Sequence, residues 1–305
     1  MKTPLKVLVL DDNPGTALGS LNYHLAASPA DPSRFEFRPL SDPEKLNGYL
    51  EAFPGEVDVV LVDVAFELTS TRTCLTAFET LIRRNGPKAI GLSTSEHGRT
   101  LFPFAVCQLL PPPTGQAVIG WTYKDDKPGR GYPELVRILD ALASGRPLAK
   151  PQTLERCLPD GDDPASGQFM HQILAGRTDV RLWSMMSRTH YEAQELADGT
   201  SSSISAVRKR FKKYTLAIEK FEKSMRRNVI HPLGSQAVAQ RSKDRPGKTD
   251  PTKEIVEAFA QAHRTFFQAP ELEDIVVARD NWLSKQRNSR RRSSRQEWWK
   301  TGQAS

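Results

Sequence analysis

The first half of the chain alternates short apolar runs with longer stretches in which apolar residues recur every three or four positions. Leu5-Lys6-Val7-Leu8-Val9-Leu10 is the first run, and it stops at Asp11-Asp12-Asn13. Phe35-Glu36-Phe37 is a weaker second one. Residues 57–64 form the strongest: Val57, Val59, Val60, Leu61 and Val62 are all apolar, as suits a strand covered on both faces. Residues 89–92 enter Ser93-Thr94-Ser95, and residues 117–123 make a fifth run ahead of Lys124. Helical spacing fills the gaps, over 18–27, 43–53, 73–84, 101–110 and 133–142. In the third of these Leu75, Phe78, Leu81 and Ile82 share one stripe. Five strands alternating with five helices imply a doubly wound, mainly parallel five-stranded α/β sheet with helices on both faces. Chemistry in such sheets gathers at the carboxyl ends of the strands.

Beyond residue 146 the pattern changes. Residues 147–167 are rich in Pro, Asp and Gly and read as a linker. From 168 to 230 the spacing is helical throughout. The stretch 234–251 is polar and has the composition of disordered chain. Helical spacing returns over 254–267 and 272–283, before a basic tail over 285–305 that includes Trp298-Trp299. The expected organisation is an α/β domain over 1–146, a linker over 147–167, an all-α domain over 168–230, and a basic, partly disordered extension over 231–305.

Charge sharpens this division. Residues 1–150 hold 16 Lys and Arg against 17 Asp and Glu, whereas residues 151–305 hold 27 against 19, so the net charge of +7 originates in the second half. A basic half joined to a neutral one suggests a polyanionic partner, with nucleic acid first. Cys74, Cys107 and Cys157 stand far apart without a CxxC pair, which argues against a disulfide framework or a zinc site and fits a reducing compartment. The longest apolar run is far short of the ~20 residues of a membrane helix, and the start shows no cleavage-site pattern. A cytoplasmic location and no membrane partner are the expectation.

The acidic and hydroxyl residues fall where the strands end. Asp11 and Asp12 would meet Asp63 in one pocket if the first and third strands are neighbours, although Asp12 is also placed to cap the following helix. Three carboxylates so close raise one another's pKa, and a hard cation with oxygen ligands, Mg²⁺ above all, resolves the repulsion. A carboxylate in such a site can attack a phosphoryl donor in line. Lys124, after the fifth strand, is placed to neutralise the transferring oxygens, and Ser93, after the fourth, to donate its hydroxyl to one.

These residues resemble the receiver domains of two-component response regulators. Leu8-Val9-Leu10-Asp11-Asp12 is similar to their first strand and acidic pair, and Val59-Val60-Leu61-Val62-Asp63 to their acceptor strand. Leu92-Ser93 is similar to the hydroxyl position, and Gly120-Trp121-Thr122-Tyr123-Lys124-Asp125 to the lysine motif. The resemblance covers residues 4–145. It implies a flavodoxin-like sheet, Asp63 as phospho-acceptor, Trp121 as the aromatic switch that turns inward, and a sensor histidine kinase as partner. Two stretches depart from the family pattern: Val64-Ala65-Phe66-Glu67, where a Met-Pro step is usual, and the apolar, Pro-rich residues 101–115.

In the second half, residues 191–197, the turn Asp198-Gly199-Thr200 and a long helix opened by Ser201-Ser202-Ser203 have the layout of a helix-turn-helix. Ile204, Val207, Phe211, Ile218 and Phe221 line one stripe of the long helix. Ser205, Lys209, Lys212 and Lys213 lie opposite, with Arg208 and Arg210 on the flanks. Such a face suits the major groove, with Ser202 and Ser205 near base edges and Arg208, Lys209, Lys212 and Lys213 on phosphates. Joined to a receiver, the segment resembles the LuxR-type output domain, and more loosely region 4 of sigma factors. The resemblance implies a DNA-binding transcriptional regulator that is not an enzyme, with a homodimer as a further partner. Three alternatives remain open on the residues: a pseudo-receiver that binds DNA without phosphorylation, a Mg²⁺-dependent phosphohydrolase, for which no separate acid/base candidate stands out, and a second half that binds protein rather than nucleic acid.

Overall fold

The computed structural model describes residues 3–84, 87–93, 101–110, 118–125, 131–146, 168–227 and 251–285. The expected linker at 147–167, the polar stretch up to residue 250 and the tail from 286 lie outside the described residues. The first half forms β1 (Leu5–Leu10), α1 (Pro14–Ala26), β2 (Phe35–Leu40), α2 (Leu46–Ala52), β3 (Val59–Asp63) and α3 (Cys74–Arg84). It continues with β4 (Lys88–Ser93), α4 (Leu101–Gln108), β5 (Val118–Tyr123) and α5 (Gly131–Ala143). The five strands are all parallel, in the order β2-β1-β3-β4-β5. This is the doubly wound sheet that the alternation of runs predicts. Helices α1 and α5 pack together, as do α2, α3 and α4.

Boundaries shift for local reasons. The first helix begins at Pro14 rather than residue 18, because the Asn13 side chain accepts the Thr16 N–H and Pro14 opens the helix with its φ already set. The alternative role of Asp12 as the cap therefore falls to its neighbour. The second strand runs on to Leu40 through Pro39, which an edge strand tolerates because one side of its ladder is unpaired.

The second half is a helical bundle of α6 (Phe169–Ile173), α7 (Arg177–Arg188), α8 (Ala193–Gly199), α9 (Ile204–Arg227), α10 (Pro251–Ala262), α11 (Arg264–Phe267) and α12 over residues 272–285. A capping box between Glu192 and Glu195 fixes the start of α8, and Ser203 Oγ accepts the Ala206 N–H at the start of α9. Gly199 packs where a Cβ would overlap the Met185 thioether, and Ser201 makes the turn with φ 50°.

Two expectations need correction. The boundary at residue 230 does not divide the packing: α10 packs on α7 and α9, and α11 on α7, with Trp183 of α7 stacked on Phe267 at 4.6 Å. Arg210 does not flank an outward face. It turns inward to donate to the buried Asp179 carboxylate at 3.0 Å, which also accepts the Tyr214 hydroxyl.

The apolar residues of α4 are buried on every side, as a helix without a polar face requires. One side lies on the α/β unit, against α3. The other meets the helical unit: Phe104 meets Phe221 of α9 at 5.0 Å and Phe102 meets Phe266 of α11 at 5.3 Å, both edge-on. Gln108 Oε1 accepts the Met170 N–H at 2.9 Å. One hydrophobic core thus runs through both halves.

Candidate functional site

The register of the parallel strands brings the candidate residues to one edge. Leu10 pairs with Val62 and Asp63 with Leu92, so Asp11 and Asp63 emerge side by side while Ser93 pairs with Tyr123 one step further on. Lys124 Nζ lies 2.6 Å from Asp11 Oδ2 and 2.8 Å from Asp63 Oδ2. The remaining oxygens are held by backbone: Asp11 Oδ1 accepts the Asn13 N–H at 2.9 Å and Asp63 Oδ1 the Val64 N–H at 2.7 Å. Asp12 is half-buried, and its Oδ2 accepts the Leu68 N–H of the β3–α3 loop at 3.3 Å. The Ser93 carbonyl accepts the Lys124 N–H at 2.7 Å, and its side chain is buried.

Burial sets the electrostatics. Asp63 is 3% exposed, and that desolvation raises its carboxyl to about 6; Lys124 pulls it down and Asp11 pushes it up further. For Lys124 burial works against the charged form, but Asp63 and Asp11 outweigh it, so the ammonium sits above its ordinary value. Carboxylate oxygens of Asp11, Asp12 and Asp63 lie within 4.8 Å of one another. An all-oxygen donor set carrying three negative charges against one ammonium fits a hard divalent cation, which keeps water in its other positions.

Trp121 is 1% exposed and stacks on Phe78 of α3 at 5.6 Å, in space that a Cβ on Gly91 would occupy. Its indole therefore already points inward. Tyr132, which precedes the apolar stripe of α5 and so carries no mark in the sequence, is buried against this site. Burial raises its hydroxyl, Lys124 offsets part of that, and Ser20 meets it. Gly131 has φ 72°, and a Cβ there would overlap the Asp125 carbonyl, which accepts the Tyr132 N–H at 2.9 Å. This contact pins the Lys124-Asp125 turn to the start of α5.

The basic face lies on the other unit. Ser205, Arg208, Lys209, Lys212 and Lys213 are exposed on α9, and no ion pair holds these cations among the described residues. Ser202 is half-buried and donates to the Thr200 carbonyl at 3.3 Å, so its hydroxyl is engaged within the turn. Lys220 and Lys223 are also exposed and continue the stripe at helical spacing, beyond Lys213. Among the described residues no helix is long and apolar enough to cross a membrane.

No protein-family profile matches the chain. No curated protein matches it either. Among solved structures, the crystal structure of the response regulator ChrA in a heme-sensing two-component system is similar over 75% of this chain and 100% of that chain, with 17% identity and a TM-score of 0.35.

Proposed function

We propose that the protein is a DNA-binding transcriptional regulator of response-regulator type, controlled by phosphorylation of Asp63. The observation that carries this reading is the Lys124 ammonium held at 2.6 and 2.8 Å between Asp11 and Asp63 at the carboxyl edge of the sheet. With a carboxyl near 6, Asp63 is ionised at neutral pH and can attack the phosphorus of an acyl phosphate or a phosphohistidine, expelling the donor's leaving group. Lys124 then exchanges its bond to Asp63 for one to the new phosphoryl oxygens, and Ser93 supplies a hydroxyl to them. Asp11, Asp12 and Asp63 would hold Mg²⁺, which would supply charge neutralisation to the transferring group. A sensor histidine kinase is the natural donor, and DNA and a second copy of the chain are the downstream partners.

Acetyl phosphate with Mg²⁺ is expected to add one phosphoryl group to the full chain, read by intact mass. The Asp63→Asn variant should remain unlabelled. Labelling that survives the substitution would sink the assignment of the acceptor.

The exposed cations of α9, which no ion pair holds among the described residues, support the DNA-binding half of the reading. Duplex binding is expected to weaken steeply with salt. Replacing Lys209, Lys212 and Lys213 by Ala should lower the slope of log K against log salt by about 3, near one per phosphate contact removed. Fluorescence anisotropy across a salt series checks this, and an unchanged slope places the contacts elsewhere.

A further inference from the structure

Glu271, at the join between α11 and α12, is a buried carboxylate whose partner lies 198 residues away in the α/β unit. Its Oε1 accepts the Thr73 N–H at 2.8 Å and the Thr73 hydroxyl as well. Thr73 is itself buried, and among the described residues Glu271 Oε2 is enclosed with no hydrogen-bond partner. A half-satisfied buried carboxylate is costly, so its place at this junction points to a role beyond filling space.

The Thr73 end leads straight to the acidic site. Thr73 bridges Ala65 in antiparallel fashion, and the Cys74 N–H donates to the Val64 carbonyl at 3.0 Å. The Val64 N–H in turn donates to Asp63 Oδ1 at 2.7 Å. The Glu271 end leads to the helices: its carbonyl accepts the Ile275 N–H within α12, and the adjoining α11 packs on α7 through Phe267 and Trp183. The basic stripe of α9 is exposed while the two units are packed together. A signal therefore need not uncover this face, and one route left to it is a shift in the pose of the helices.

We infer that the Thr73–Glu271 contact is the link through which the acidic pocket sets the packing of α11 and α12, and through them the helical unit that carries the basic face. This deepens the function proposed above and rests on the acidic pocket being the site that changes state. Glu271 is a positioning residue: it touches neither Asp63 nor the basic face. If it merely satisfied an interface, changes at Asp63 and at Glu271 would act independently.

Amide hydrogen exchange on the full chain tests this in wild type, Asp63→Asn, Glu271→Ala and the double variant. Asp63→Asn is expected to change exchange across residues 264–285 by about threefold or more in the wild-type background. In the Glu271→Ala background the same substitution should leave those amides unchanged. Equal responses in the two backgrounds, or no response at 264–285 in the wild-type background, overturn the inference. Should Glu271→Ala fail to fold, Glu271→Met fills the same space without an acceptor for Thr73, and the same cycle is run on it with the same expected outcomes. None of these readouts uses phosphorylation. Intact-mass labelling of the wild-type sample by acetyl phosphate and Mg²⁺ therefore reports separately on the acceptor reading.

Discussion

Lys124→Met is expected to destabilise the folded chain by about 3–5 kcal/mol at pH 8, the usual loss when one partner of a buried pair is removed. Its ammonium is the charge that lies between Asp11 and Asp63, all three side chains being largely buried. Without it two neighbouring carboxylates face each other in a desolvated pocket, and methionine fills most of the lysine's volume, so the loss is chiefly electrostatic. The pH dependence follows from the direction of the Asp63 shift. Its carboxyl is raised by burial from 3.8 to about 6, so the folded state binds a proton that the unfolded state has already released between those values. Stability linked to this group is full below pH ~4 and declines as pH rises through ~6. Losing Lys124 moves the folded-state value higher still. The deficit in urea unfolding should therefore be large at pH 8 and shrink at pH 5. Millimolar Mg²⁺ should restore part of it at pH 8, since a ligand that binds only the folded state stabilises it by mass action. An equal deficit at both pH values, untouched by Mg²⁺, would place the loss in the packing of the lysine's aliphatic stem instead.

The strands and their acidic edge were legible because each apolar run stops at a charged or hydroxyl residue. A parallel sheet converts that linear coincidence into one pocket. Asp11, Asp63 and Lys124 needed no further information than the order β2-β1-β3-β4-β5. What the sequence did not convey depends on distant contacts. Residues 101–110 read as a departure from a receiver's fourth helix. Their lack of a polar face is instead what a helix needs when a second unit covers its outer side. Arg210 has the spacing of an exposed flank, and only the buried Asp179 on another helix draws it in. Glu271 sits in a stretch that reads as an ordinary charged helix start, and its partner Thr73 follows a polar loop. Neither residue carries a local mark of the pairing. Residues 254–267 read as an appended amphipathic helix for the same reason, since an apolar stripe does not say which neighbour covers it.

Phe221→Ala should cost about 3–5 kcal/mol, as for other fully buried aromatic residues. Its ring stacks on Phe169 at 4.1 Å and meets Phe104 edge-on at 5.0 Å, so it belongs at once to the helical bundle and to the outer side of α4. If the two halves were separate bodies joined by a tether, this loss would fall on the bundle alone, and amides of β1 and β3 would keep their protection. A shared core leads to a different result. Removing Phe221 strips α4 of part of its cover, and α4 packs directly on α3, which lies on β3 and β4. Urea unfolding followed by exchange at β3 and at α7 should then give coincident transitions, shifted together in the variant. The same helix supplies the control. Leu216 is 59% exposed on the opposite face, and Leu216→Ala is expected to stay within about 0.5 kcal/mol of wild type. Protection lost in α7 but retained in β3 would mean that the units fold independently. A shared transition makes the helical unit a structural part of one fold, and under the proposed function a change at Asp63 would then pass through packed side chains rather than through the release of a tethered domain.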